Sequence, residues 1–184
     1  MRRNENLLEL LLELQTLDRV QRSGFVLRGV ADPESVTEHS WHVAFLVWAL
    51  GERVPGVDAA RALEIALVHD LAELRVGDLP RTAGRYFPAG AKNAAETAAM
   101  ADILAPLPER ARRLYADYQE GGSLEARLVK ACDKLQLMLK VAVYESWGSG
   151  GLAEFWNNPD NFPPAGIEVV DELVAALRGR RSPG

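Results

Sequence analysis

The chain holds three histidines, His39, His42 and His69, and two of them stand in apolar segments where a bare imidazole is an odd choice. His69 closes the run Ala66-Leu67-Val68 and is followed at once by Asp70, with Leu71, Ala72 and Leu74 beyond it. A second acid, Asp133, is set among Leu128, Val129, Ala131, Leu135 and Leu137. Burying an unpaired carboxylate is expensive or forces its protonation. Two such carboxylates and two imidazoles, His39 and His69, could satisfy one another through one shared cation. A mixed nitrogen and oxygen set suits Mn, Fe, Co, Ni or Zn better than Ca, which prefers all-oxygen shells. Neighbouring residues on a helix diverge by about 100°, so His69 and Asp70 share an ion only where it sits beside the backbone. His39 and Asp133 would then close the shell from flanking helices.

The remaining candidates are weaker. His42, three residues after His39, lies on a neighbouring helix face; with four ligands already in place it is expected in the core or around the ligands, not on the ion. Cys132 is the only cysteine, has no histidine paired with it, and is expected as a small buried residue and not a nucleophile.

The elements that must position these residues are helical. Leu7, Leu8, Leu11, Leu12, Leu14 and Leu17 recur at amphipathic-helix spacing over about 4–20, and Ser23-Gly24 breaks the pattern. Residues 25–33 are expected to be extended or looped. A second helix should start at 33–35, with Asp32 as cap and Pro33 in its first turn, and run to about 52. It is apolar on nearly every face after Trp41, which places it in the middle of the core with Trp41 and Trp48 as packing residues. Asp58 can cap a third helix leading to His69. Residues 77–90 hold Gly77, Pro80, Gly84, Pro88 and Gly90 and suggest an irregular loop. Helices over 91–105 and 107–120 follow. Gly121-Gly122 ends the second of these, and Ser123 caps a long, largely buried helix to about 146. A glycine-rich turn at 148–151, an aromatic segment with Phe155, Trp156 and Phe162, and a last helix over 165–178 complete the chain. No strand is demanded. The expected fold is all-α, a compact multi-helix bundle forming one domain over 1–178, with 179–184 as a disordered tail.

Composition narrows the function. A formal charge of −5 argues against nucleic-acid binding, which depends on clustered cations, but leaves small anionic substrates open. A single cysteine permits no intrachain disulfide. The longest apolar run, 43–50, is far short of the ~20 residues that span a bilayer, and the N-terminal leucines are interleaved with Glu5, Glu9 and Glu13, unlike a signal peptide. The expected location is cytoplasmic, with no membrane partner.

Three segments in order, SVTEHSWHVA, ALVHDLAELRVGDLPR and ACDKLQ, resemble the HD-domain metal-dependent phosphohydrolases, whose signature is H…HD…D. The context ESVTEHS, HDLAELRVGDLP and DKLQ resembles their 5′-deoxynucleotidase branch, from about 17 to 136. The resemblance implies a compact HD-domain bundle, a homodimer, a small nucleotide substrate and one divalent metal ion (Co, Mn, Fe, Ni, Zn or Mg). It matches His39, His69, Asp70 and Asp133 to the metal ligands and Glu73 and Asp78 to the catalytic acids. Glu73, three residues beyond Asp70, would lie about one turn along a continuing helix. Arg22 matches the arginine that contacts phosphate, with Arg28 and Arg81 as nearby alternatives; Asp78 and Arg81 also fall at the substrate.

The chain departs from the bacterial pattern at one place. There a tryptophan follows the arginine directly, whereas here the sequence is Ser23-Gly24-Phe25, as in the eukaryotic branch, and Phe25 is expected to supply the ring. The activity implied is hydrolysis of (deoxy)nucleoside 5′-monophosphates. The alternatives are another HD phosphohydrolase, acting on triphosphates or phosphodiesters, and a non-catalytic metal-binding module. The C-terminal aromatics could form part of a dimer contact or cap the domain's own core.

Overall fold

A computed structural model describes residues 2–181. Its helices are α1 (Arg2–Leu14), α2 (Ser23–Val26), α3 (Val36–Gly51), α4 (Ala59–Val68), α5 (Glu73–Val76), α6 (Arg81–Gly84), α7 (Ala91–Ile103), α8 (Glu109–Glu120), α9 (Leu124–Ser146), α10 (Ala153–Asn157) and α11 (Glu168–Arg180). Short 3-10 turns cover Gln15–Arg19 and Pro159–Asn161. No strand occurs among the described residues, and the fold is all-α as expected; the one extended pairing is an isolated antiparallel bridge between Gln21 and Ser35.

The centre of the molecule is the packing of α3 and α4 against α9. Val43, Val47, Ile65, Ala66, Leu128, Val129, Cys132 and Leu135 close this core with almost no exposure. Burying each large aliphatic here is worth about 1.5–3 kcal/mol, which locks the three helices that carry the ligand candidates. A second cluster joins Leu10, Ala72, Met100, Ile103 and Tyr115, seating α1 and α7 around α5. A third, with Phe25, Met138, Val141, Tyr144, Leu152 and Trp156, brings α2 and α10 against the C-terminal half of α9.

The helix ends follow local chemistry. Asp58 accepts from the Arg61 backbone at 3.0 Å, and Ser123 accepts from the Ala126 backbone at 3.0 Å, capping α4 and α9 as their types require. Helix α3 does not begin at Asp32 and Pro33. Its cap is Ser35 in a reciprocal box with Glu38, whose carboxylate takes the Ser35 backbone N–H at 2.7 Å. Residues 20–22 pair with 34–36, Arg22 N–H to the Glu34 carbonyl and Val36 N–H to the Val20 carbonyl, so the helix starts only at Val36, and Asp32 turns left-handed with φ 53.

Five further expectations are corrected. Residues 25 and 26, expected to be extended or looped, belong to the short helix α2, and residues 81–84 form a helical turn inside the expected loop. The helix carrying His69 does not continue to Glu73: α4 ends at Val68, and a turn over 69–72 separates it from α5. Helix α3 is not covered on all sides, for Trp41 and Trp48 are each 62% exposed and Phe45 49%; on this outer face Phe45 stacks on Trp41 and meets Trp48 at a tilt, with ring centroids 5.6 Å apart in both pairs. At the C-terminus α11 continues through Arg180, past the expected start of the tail, and 182–184 lie outside the described residues.

Candidate metal centre and cleft

The His39 side chain leaves the buried face of α3, His69 and Asp70 occupy the turn where α4 ends, and Asp133 projects from the middle of α9. Their polar atoms converge. His39 Nε2 lies 3.2 Å from Asp133 Oδ1 and 3.3 Å from Asp70 Oδ2. His69 Nε2 is 3.3 Å from the same Asp70 oxygen. Ligand atoms of His39, His69 and Asp70 all fall within 4.8 Å of one another, and Asp133 joins them through His39. Three of the four residues expected as ligands therefore converge, and Asp133 stands beside them against His39.

The outward nitrogens fix which lone pairs face inward. His69 Nδ1 is 2.7 Å from the Ala66 carbonyl, which can only accept, so Nδ1 carries the proton and Nε2 presents a lone pair. His39 Nδ1 is 2.6 Å from Gln136 Oε1. Both Nε2 atoms are buried and make no hydrogen bond. Orphaned ring nitrogens facing two carboxylates are costly unless something electropositive stands between them, and a divalent cation fits this donor set.

The charges are strongly coupled. Burial works against the Asp70 carboxylate, but His69 and His39 hold it well below its ordinary range. Asp133 is likewise opposed by burial and drawn down to about 2 by His39 beside it. Burial and Arg22 oppose charge on His39, yet Asp133 and Asp70 raise its pKa to about 9. Glu73 goes the other way: burial, Asp70 and Asp78 push it up to about 9, and its Oε2 is buried without a partner.

His69, Asp70, Glu73 and Asp133 face a cleft of about 860 Å³, with His39 buried behind them. Arg22 reaches it from the segment paired with 34–36, its Nη1 3.5 Å from Asp70 and 3.6 Å from Asp78. Burial disfavours the guanidinium charge, but Asp78, Asp70 and Asp133 more than offset this and raise its pKa. Gly77, with φ 74, makes the turn that swings Asp78 back from α5 to α2; other residues adopt that conformation only with strain.

The other predicted substrate residues divide. Arg28 borders the cleft, ion-paired with Glu154. Arg81 lies at the rim, largely exposed and 3.1 Å from Asp160. Phe25 is only 1% exposed, edge-on to Tyr144 and stacked on Phe155 at 5.3 Å. It supports the cleft wall from beneath, and Phe155 is the more exposed ring there. Trp156 and Phe162 stack on each other against α9, so the C-terminal aromatics cap the domain's own core. His42 is not among the converging ligands; its Nδ1 stands 3.9 Å from Glu34.

Sequence reasoning missed several residues. Ser23 holds Asp78, and Tyr118 sets its ring edge against His69 at 5.5 Å. Lys92, paired with Glu96 at 3.3 Å, brings a cation into the cleft wall from α7. Nothing local to Lys92 or Tyr118 signals this. Gln136 could have been found: it is a lone amide in the apolar run Leu135 to Leu139.

The comparisons with known proteins agree with this arrangement. A family model described as HD domain matches residues 14–156. The chain is 33% identical to the 5′-deoxynucleotidase HDDC2 of Bos taurus over 178 residues, covering 92% of this chain and 85% of that protein. It is 33% identical to its namesake from Homo sapiens over 186 residues, 96% of this chain and 87% of the relative. Among solved structures, a conserved hypothetical protein from Pyrococcus furiosus superposes with a TM-score of 0.78 at 35% identity, covering 94% of this chain and 97% of the other. The chain belongs to the HD-domain family.

Proposed function

We propose that this protein is a metal-dependent phosphomonoesterase that hydrolyses (deoxy)nucleoside 5′-monophosphates to nucleoside and phosphate. The observation that carries this is the pair of inward-facing, unbonded Nε2 atoms of His39 and His69 beside Asp70 and Asp133, at the wall of a cleft that also holds Glu73, Asp78 and Arg22. The naming of the curated relatives as 5′-deoxynucleotidases supports the substrate class.

His39, His69, Asp70 and Asp133 would hold one divalent ion. Such an ion supplies Lewis-acid activation of water and charge neutralisation at a phosphoryl oxygen. Arg22, kept charged by its acidic neighbours, aligns the phosphate by hydrogen bonds. Glu73, in the ionised form that a nearby divalent cation would favour, takes a proton from the attacking water as the new P–O bond forms in line with the breaking bond to O5′. The departing O5′ takes a proton from solvent water and leaves as the nucleoside hydroxyl. Asp78, fixed by Ser23, accepts a hydrogen bond from a sugar hydroxyl. With Phe25 buried, Phe155 is the ring placed to face the nucleoside.

In this reading the protein is cytoplasmic and pairs with a second copy, and the exposed Trp41, Phe45 and Trp48 ridge supports the pairing. Among the described residues no helix is long and apolar enough to cross a membrane. The test of function is phosphate release from a panel of ribo- and deoxyribonucleoside 5′-monophosphates with Mn, Co, Mg or Zn added to metal-stripped protein. Release from deoxynucleoside monophosphates with at least one metal is expected. No release from any of them, with metal demonstrably bound, overturns the proposal.

A further inference from the structure

Behind the metal centre, on the side away from the cleft, a buried polar chain runs from His39 through Gln136 to Glu34 and Lys140. His39 Nδ1 meets Gln136 Oε1 at 2.6 Å. Gln136 Nε2 donates to Glu34 Oε2 at 2.9 Å, and Lys140 Nζ reaches that same oxygen at 3.1 Å. Glu34 is 3% exposed, Gln136 3% and His39 0%. The chain joins the loop before α3 to two successive turns of α9, and the Tyr144 hydroxyl, accepting from the Glu34 backbone N–H at 2.7 Å, fixes its outer end.

The order of donors and acceptors along this chain has one solution. An amide can present either its oxygen or its nitrogen to a given neighbour, and a neutral imidazole can carry its proton on either nitrogen. Glu34, paired with the Lys140 ammonium, can only accept. Gln136 must therefore turn its NH₂ group to Glu34 and its oxygen to His39. That oxygen also only accepts, so His39 Nδ1 carries a proton in every form of the ring, and Nε2 is the nitrogen left to give a lone pair to an ion beside Asp70 and Asp133. For His69 the Ala66 carbonyl does the same job directly. His39 has no such carbonyl and obtains its orientation at one remove.

We infer that Glu34 is a positioning residue for the metal centre, setting the His39 tautomer through Gln136 without touching the ion. The inference rests on the reading of His39 as a metal ligand. Partners that orient a ligating histidine are commonly worth about 10–100-fold in metal affinity.

The test is the affinity of metal-stripped protein for Mn²⁺ and Zn²⁺, measured by competition with a chelator, in the wild type, Glu34→Gln, Gln136→Glu and the double variant. Glu34→Gln keeps the shape but lets the side chain at position 34 donate, so Gln136 can turn over; metal affinity should fall about 10–100-fold. Gln136→Glu sets two carboxylates side by side and should weaken binding as well. The double variant rebuilds the order with the two groups exchanged. Its amide at position 34 donates to the carboxylate at position 136, and that carboxylate accepts from His39 Nδ1. Most of the loss should be recovered, in a coupling beyond additivity. A role in packing alone gives no such recovery. At saturating metal, Glu34→Gln should retain the wild-type KM for nucleotide. Affinity within twofold of wild type in Glu34→Gln, or no recovery in the double variant, overturns the inference while leaving the metal site standing. Absence of metal binding by the wild type overturns both. Should Glu34→Gln fail to fold, Lys140→Met, which frees Glu34 of its counter-ion, is expected to weaken metal binding in the same direction, and unchanged affinity there is equally contrary.

Discussion

The backbone N–H and the hydroxyl of Ser23 both donate to one oxygen of Asp78, at 2.6 and 2.7 Å, across 55 residues of sequence. This double contact ties the turn after α5 to the start of α2 and leaves the other Asp78 oxygen facing Arg22. Ser23→Ala keeps the backbone bond and removes the hydroxyl. A hydrogen bond to a charged group is worth about 1.5–3 kcal/mol, so kcat/KM for a deoxynucleoside monophosphate should fall by roughly 10–100-fold with metal affinity unchanged. Steady-state kinetics alongside a metal titration checks this, and an unaltered kcat/KM would remove Asp78 anchoring from the account.

Glu73 is expected to trade stability for activity. Burial, Asp70 and Asp78 push its pKa up to about 9 from an ordinary value of 4.5. Between those values the folded protein binds a proton that the unfolded chain releases, so the group's contribution to stability is whole below the lower value and is lost as pH rises toward the upper one. Glu73→Gln removes that loss. In chelator at pH 8 its Tm should exceed that of wild type by at least about 2–4 °C, the shift that about 1 kcal/mol gives a chain of this size, with the gap closing toward pH 4.5. Turnover should drop by ~100-fold or more, as loss of a general base does, with metal still bound. A lower Tm for the variant at pH 8 would contradict the electrostatic picture.

The core packed against α3 and the exposed ridge of α3 should respond differently to truncation. Ile65 on α4, fully buried against α3 and α9, should cost about 2–5 kcal/mol when replaced by Ala. Trp48→Ala on the exposed ridge should stay within about 0.5 kcal/mol in the monomer. Chemical denaturation at low protein concentration measures both. A cost for Trp48→Ala like that of Ile65→Ala would show the ridge to be packed within the chain after all.

Cys132 should be inert in the native state. It is buried beside Asp133, and burial with that neighbouring charge raises its pKa to about 12, so almost no thiolate forms at neutral pH. Iodoacetamide should label it only after denaturation; rapid labelling of the native protein would mean that α9 opens locally.

Much of the molecule is legible in the sequence, for definite physical reasons. The helices follow from apolar periodicity, and Asp58 and Ser123 cap where their types and positions say they should. His39, His69, Asp70 and Asp133 can be singled out because acids and imidazoles inside apolar runs demand a partner. What cannot be read are relations set by tertiary pairing. The start of α3 moves from Asp32 to Ser35 because residues 20–22 pair with 34–36, a contact with no local signature. Trp41 and Trp48 look like core residues by type alone, and only the position of α3 in the bundle leaves their side outward. Phe25 has the chemistry of a pocket ring, but α10 supplies Phe155 in front of it. Spacing from Asp70 places the acid at 73 near the ligands, although the helix assumed to connect them breaks at the ligands themselves.

The central claim, that His39, His69, Asp70 and Asp133 hold one ion on which hydrolysis depends, is tested most directly by Asp133→Ala. Metal-stripped wild type and variant would be titrated with Mn²⁺ while bound metal and phosphate release from a deoxynucleoside 5′-monophosphate are followed together. In the wild type, release should rise with the ion and saturate near one ion per chain; the variant should lose both tight binding and release. Full activity in Asp133→Ala, or in wild type kept in excess chelator, would contradict the account.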